Sequence, residues 1–197
     1  MKPLSNKETE ILLLLTKDFS NDYNSNNITK KIKITSAGSF KAMKNLEKQK
    51  LITGKKMGKA VFYKPNLEDY YVFRLIETLL IKEAREKATR WLEEFKELFE
   101  HVDIAIIFGS IIRNFKTAND IDLLIVFKKE KHKTIKQIIA KRRIISTKAI
   151  HTVKQTPKDL TKNLKNKDKV LLNIIKRGYA LHGYEKLVEV IKNVTRF

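Results

Sequence analysis

The 197-residue sequence predicts an α+β chain, and three observations carry that reading. Apolar residues recur at helical spacing through most of the first 50 residues and again over residues 71–100. A strand-turn-strand pattern with two glycines separates those helical regions. Two continuous apolar runs, residues 104–108 and 123–127, have the length and composition of buried strands. The charge distribution suggests three parts: a module at 1–66, a connecting helix at 67–100 and a second module at 101–197.

Residues 1–66 read as helix, helix, helix, hairpin. Ser5 and Glu8 form a capping-box pattern ahead of the apolar run Ile11 to Leu15. After a polar loop, residues 20–27, a second short helix fits residues 27–32. Thr35 or Ser36 can cap a third, with Phe40, Met43 and Leu46 as its buried stripe. Leu51-Ile52-Thr53 and Ala60-Val61-Phe62-Tyr63 then make a hairpin around Gly54 and Gly58, with Lys55, Lys56 and Lys59 towards its tip.

Between the modules, Val72, Ile76, Leu80, Ala84, Ala88, Trp91, Phe95 and Leu98 keep helical spacing with no Gly or Pro among them. The pattern predicts one helix of about 30 residues, roughly 45 Å long. It reads as a connector packed on its neighbours or as the seam of a homodimer.

Composition bounds the function. With 42 Lys+Arg against 22 Asp+Glu the net charge is +20, so a polyanion is the default partner; a Lys-rich exposed surface is the plainer alternative. At 42% hydrophobic residues the chain can build real cores. The lack of cysteine excludes a disulfide scaffold, a thiolate zinc site and a cysteine nucleophile. No leader pattern and no apolar stretch near the roughly 20 residues of a membrane span are visible, so a cytoplasmic protein without a membrane partner is expected. The charge is uneven: net +7 over residues 1–70, −1 over 71–100 and +14 over 101–197. Residues 128–169 alone hold net +12, including Lys141-Arg142-Arg143, where a polyanionic co-substrate would dock.

The first module resembles the winged helix-turn-helix domains of bacterial and archaeal regulators, on the stretch ITSAGSFKAMKNLEKQKLITGKKMGKAVFYKPN. The resemblance implies a recognition helix offering Ser36, Ser39, Lys41 and Lys44 to the major groove, and wing lysines 55, 56 and 59 to phosphates, with DNA favoured over RNA.

Chemistry concentrates in HVDIAIIFGSIIRNFKTANDIDLLIVF, residues 101–127. The first strand ends at Gly109-Ser110, where a short helical stretch is expected to follow. Asp120-Ile121-Asp122 opens the second strand, and residues two apart on a strand share a face, so the carboxylates converge. Two hard oxygen ligands suit Mg²⁺ with substrate phosphates, Gly109 permits close backbone approach to phosphate, and Ser110 with neighbouring N–H groups can hold its oxygens.

Gly-Ser-x-x-Arg followed by Asp-x-Asp between apolar strands resembles the minimal nucleotidyltransferases of the DNA polymerase beta superfamily. That resemblance implies a mixed sheet with flanking helices, NTP held by Gly109, Ser110 and Arg113, and Mg²⁺ held by the catalytic pair Asp120 and Asp122. Active members present a third carboxylate from a later strand. The candidate strand here, residues 144–153, has no Asp or Glu, and His151 is the polar residue nearest that place. Asn114 also stands where a Gly often follows the family's Arg. Two readings stay open: transfer of NMP to a nucleic-acid or protein acceptor, or a DNA-binding regulator or antitoxin with a degenerate transferase domain. The resemblance further implies a small helical toxin-like partner protein. His101, His132 and His182 read as surface residues, and the C-terminal segment as helix, glycine turn (178–183), helix.

Overall fold

The computed structural model describes residues 3–195. They divide into two compact units, one ending at Leu79 and the other beginning at Leu80. The α+β architecture expected from the sequence is present in both.

In the first unit, helices α1 (Asn6–Lys17), α2 (Ser25–Ile32) and α3 (Ser36–Lys48) precede an antiparallel hairpin of β1 (Ile52–Met57) and β2 (Ala60–Pro65). This is the winged helix-turn-helix order. The Ser5–Glu8 capping box is formed, and Thr35 caps α3 through the N–H of Gly38. The polar loop has a structural role, because Asn24 caps α2 and exchanges hydrogen bonds with Asn27, starting the helix at Ser25 rather than residue 27. Ile11, Leu12, Leu15, Ile28, Met43 and Leu46 are buried at the centre of the unit. Phe40, expected in that stripe, is instead 59% exposed. The inward positions of α3 are Ser39, Met43 and Leu46, spaced by four and three, and Phe40 falls about 90° round from the middle of that stripe, on an exposed flank.

The long helix exists but is shorter than its periodicity predicts. α4 spans Tyr70–Lys87, Ala88 leaves the helical region at φ −137°, and α5 (Thr89–Glu94) and α6 (Lys96–Phe99) follow as separate short helices. The apolar rhythm continues across the breaks because Ala88, Trp91, Phe95 and Leu98 enter one core with Ala105, Ile107, Leu123 and Ile125 of the following sheet. Periodicity records which residues are buried and does not register a bend between turns that bury the same stripe.

The second unit is built on a four-stranded mixed sheet in the order β5-β4-β3-β6, from β3 (Ile104–Phe108), β4 (Asp120–Val126), β5 (Ala149–Gln155) and β6 (Tyr179–His182). β4 pairs antiparallel with β3 and parallel with β5, and β6 pairs antiparallel with β3. Helix α7 (His132–Ile145) supplies the crossover from β4 to β5; α8 (Pro157–Lys165), α9 (Lys169–Arg177) and α10 (Tyr184–Val194) complete the unit. One sheet face, including Ile107, Ile121, Leu123, Ile125 and Ile150, packs on α5–α7, and the alternate residues Ile104, Ile106, Leu124 and Val126 are buried as well. This two-sided burial explains the continuous apolar runs.

Two boundaries differ from expectation. α7 extends to Ile145, so β5 starts at Ala149 and not at residue 144. The pair Ile144-Ile145 reads as strand by composition, yet both side chains are exposed at a helix end. The glycine turn at 178–183 contains strand β6, whose four residues are too few for a visible alternation. No described helix is long and apolar enough to cross a membrane.

Candidate functional site

The carboxylates of Asp120 and Asp122 lie on one face of β4, at the end where β3 finishes. Three strands fix the site. Register places Phe108 of β3 opposite Asp122, and the parallel ladder places His151 of β5 beside Asp122 on its other flank. The nearest ring nitrogen of His151, Nδ1, is 3.4 Å from Oδ2 of Asp120 and 3.8 Å from Oδ1 of Asp122. One ligand atom from each of Asp120, Asp122 and His151 lies within 4.8 Å of the others.

Burial, then the neighbouring charge of Asp120, hold the Asp122 carboxyl above the usual carboxylate range, with His151 acting in the opposite direction. The site thus concentrates negative charge that a cation would relieve. Two carboxylate oxygens and an imidazole nitrogen at these separations fit a divalent cation. Asp120 and Asp122 would hold it, with His151 completing three protein ligands and leaving room for phosphate oxygens.

Gly109 follows β3 with φ +82°, and a Cβ there would lie 2.1 Å from Oδ2 of Asp122. The glycine is therefore needed twice, for its backbone conformation and for the space that the Asp122 carboxylate fills. The segment after it differs from expectation. Residues 111–113 form a turn, in which the N–H groups of Arg113 and Asn114 donate to the Ser110 carbonyl at 3.0 and 3.1 Å, without a regular helix. Phosphate binding at a helix start has no basis in this geometry; the Ser110 hydroxyl and the exposed Arg113 remain as candidate donors. Asn114 holds the loop by accepting from the Lys116 N–H at 3.0 Å.

Of the residues assigned to nucleic acid, Ser36, Lys41 and Lys44 are exposed on α3, and Lys55, Lys56 and Lys59 on the hairpin. Lys44 also pairs with Glu47 at 3.0 Å. Ser39 is misassigned: it is fully buried, and its hydroxyl donates to the Ser25 carbonyl at 2.7 Å, fastening α3 to α2. Its place beside exposed lysines hid this, because a helix turns a neighbouring position by about 100°. Lys141 and Arg143 are both exposed, and the Arg143 guanidinium also donates to the Ile150 carbonyl at 3.2 and 2.7 Å, which ties it to the start of β5. Arg142 lines a cavity of about 280 Å³ with Arg90, Phe115, Ile121 and Lys148. There the Phe115 ring carries Arg90 at 3.8 Å and Lys148 at 4.9 Å. No sequence signal marks this cluster, since its members come from four separate segments.

The remaining histidines divide. His132 is exposed at the start of α7. His182 is half-buried in β6, stacked on Phe99 at 5.2 Å, and the Nδ1 of His101 is buried without a hydrogen-bond partner.

Comparison with known proteins finds a family match over part of the chain. A search of curated proteins finds no match. Among solved structures, the adhesin competence repressor AdcR of Streptococcus pyogenes is 21% identical, covering 48% of this chain and 76% of its own, at a TM-score of 0.31. A mutant ZitR of Lactococcus lactis in complex with DNA is 20% identical, covering 71% of this chain and 73% of its own, at a TM-score of 0.33. Residues 91–185, the segment that contains Gly109, Asp120, Asp122 and His151, match the family described as "Polymerase beta, Nucleotidyltransferase".

Proposed function

We propose that the protein transfers a nucleoside monophosphate from an NTP to an acceptor hydroxyl, at a site formed by Gly109, Ser110, Arg113, Asp120 and Asp122. The observation that supports this most directly is the convergence of Asp120 and Asp122 on one face of β4, beside a glycine that leaves space for the Asp122 carboxylate, inside the segment matched to the nucleotidyltransferases. In the reaction, an acceptor oxygen forms a bond to the α-phosphorus, the bond from that phosphorus to the bridging oxygen breaks, and pyrophosphate leaves. A divalent cation, Mg²⁺ by the family resemblance, would supply charge neutralisation for the phosphates. Gly109 turns the backbone and gives the Asp122 carboxylate its place beside the triphosphate, Ser110 donates its hydroxyl, and Arg113 contributes a fixed positive charge. The acceptor is read as a nucleic acid, since net +12 over residues 128–169 flanks the site and the winged helix adds a second basic surface.

Purified protein with α-labelled NTPs, a divalent cation and DNA, RNA or protein acceptors should label an acceptor. Asp120→Ala and Asp122→Ala should each lower labelling by at least a hundredfold. Labelling that survives the double substitution refutes the assignment.

A second reading is favoured by one observation, the imidazole of His151 where a third carboxylate is expected. On this reading the domain binds nucleotide without turning it over, and the chain is a DNA-binding regulator. Salt-dependent duplex binding by a protein that labels no acceptor would select it.

A further inference from the structure

The donor set of the site differs from that of an all-oxygen Mg²⁺ centre, and the difference has a specific consequence. Mg²⁺ takes oxygen ligands almost exclusively and keeps much of its water. Imidazole is a ligand for the first-row transition ions, whereas carboxylate and water also suit Mn²⁺. A site with two carboxylates and one imidazole lies between these classes.

The geometry makes His151 a ligand candidate rather than a bystander. Its position is fixed by the parallel ladder, in which it pairs with Asp122, so it shares the face on which both carboxylates stand. Its Nδ1 lies 3.4 and 3.8 Å from the two carboxylates. Ligands at about 2.1–2.3 Å from one octahedral ion are about 3 Å apart when adjacent and about 4.5 Å when opposite. The two separations from His151, 3.4 and 3.8 Å, fall inside that interval, and all three ligand atoms lie within 4.8 Å of one another. The His151 side chain is 61% exposed, so packing does not account for where it sits. With neutral imidazole the three ligands carry charge −2, which a divalent ion cancels. A third carboxylate would have given −3 and a stronger field for a hard ion.

We propose that His151 binds the metal through nitrogen and that this shifts the site from Mg²⁺ towards a first-row transition ion, with Mn²⁺ the member that retains six-coordinate, oxygen-rich geometry. The inference rests on the same site as the proposed transfer but not on transfer taking place.

The test uses the full chain with Mn²⁺ alone and reads the metal directly. Pulsed electron paramagnetic resonance of the bound ion should show coupling to a ¹⁴N nucleus. His151→Ala and His151→Asp should both abolish that coupling, and circular dichroism should confirm that both remain folded. In competition, the wild type should hold Mn²⁺ against at least a tenfold excess of Mg²⁺. His151→Asp should move that selectivity towards Mg²⁺ by about tenfold or more. Bound Mn²⁺ without ¹⁴N coupling overturns the proposal, as does coupling that persists in His151→Ala, which would assign the nitrogen to another histidine. A wild type that binds no Mn²⁺ at millimolar concentration overturns it too. A labelled-NTP assay run in parallel with Mg²⁺ and with Mn²⁺ separates this failure from failure of the transferase reading.

Discussion

Gly109→Ala should be the most informative single substitution, because two independent costs meet at one Cβ. The first is conformational: at φ +82° an L-residue loses about 1–2 kcal/mol relative to glycine. The second is steric: the new Cβ would stand 2.1 Å from Oδ2 and 3.0 Å from Cγ of Asp122. Relief requires turning Asp122 off its rotamer or shifting the strand end, which costs about 1–2 kcal/mol more. The total is about 2–4 kcal/mol. Trp91, the only tryptophan, lies in the core of the second unit, so its fluorescence reports unfolding there. At a urea dependence of about 2 kcal/mol per molar, the midpoint should fall by about 1–2 M. The steric part can be isolated by repeating the substitution in an Asp122→Ala background, where the carboxylate is gone and the remaining contact is to Cβ at 3.2 Å. There Gly109→Ala should cost only the conformational part, giving a coupling of about 1–2 kcal/mol. Equal costs in the two backgrounds, within about 0.5 kcal/mol, would refute the claim that Gly109 makes room for the Asp122 carboxylate.

Three further outcomes are expected. Ser39→Ala removes a buried hydroxyl that donates to the Ser25 carbonyl, which keeps the Thr29 hydroxyl as a donor at 2.9 Å, and should destabilise the first unit by about 0.5–1.5 kcal/mol in chemical denaturation. Equal stability would refute a fastening role for the Ser39 hydroxyl. Burial first, then Lys186, holds the His182 pKa below its usual 6.5. The unfolded chain therefore takes up the proton more readily, so this group's contribution is present above pH 6.5 and lost as pH falls through the folded value. His182→Phe should flatten the stability profile of the second unit below pH 6.5, and an unchanged slope would count against the assignment. If the winged helix holds DNA, replacing Lys41, Lys56 and Lys59 together by Ala should weaken binding to duplexes of any sequence. It should also lower the magnitude of the log–log salt slope by about 0.9 for each phosphate contact removed, whereas an unchanged slope would place the duplex elsewhere.

The sequence by itself determined the elements whose signal is local. The capping box at Ser5 and Glu8, the order of three helices and a hairpin, the two buried strands and the Gly109–Ser110 and Asp120–Asp122 pairs are each written within a few residues of one another. The strand period also placed the two carboxylates on one face before any strand was seen. Tertiary structure decided what depends on residues far apart in the chain. It bent the long apolar stripe after Lys87 while keeping its rhythm, turned Ser39 inward and Phe40 outward on the same helix, and engaged the exposed Arg143 in holding the Ile150 carbonyl of β5. It also made the third vertex of the site. His151 is separated from Asp122 by a strand end, a loop and a 14-residue helix, and only the parallel register of β4 and β5 brings it beside the carboxylates. Local periodicity encodes which side of an element is buried, whereas the register between strands is set by the packing of the crossover helix on the sheet. That is why both acids were legible in the sequence, while the position of the imidazole that completes their site could be fixed only by the fold.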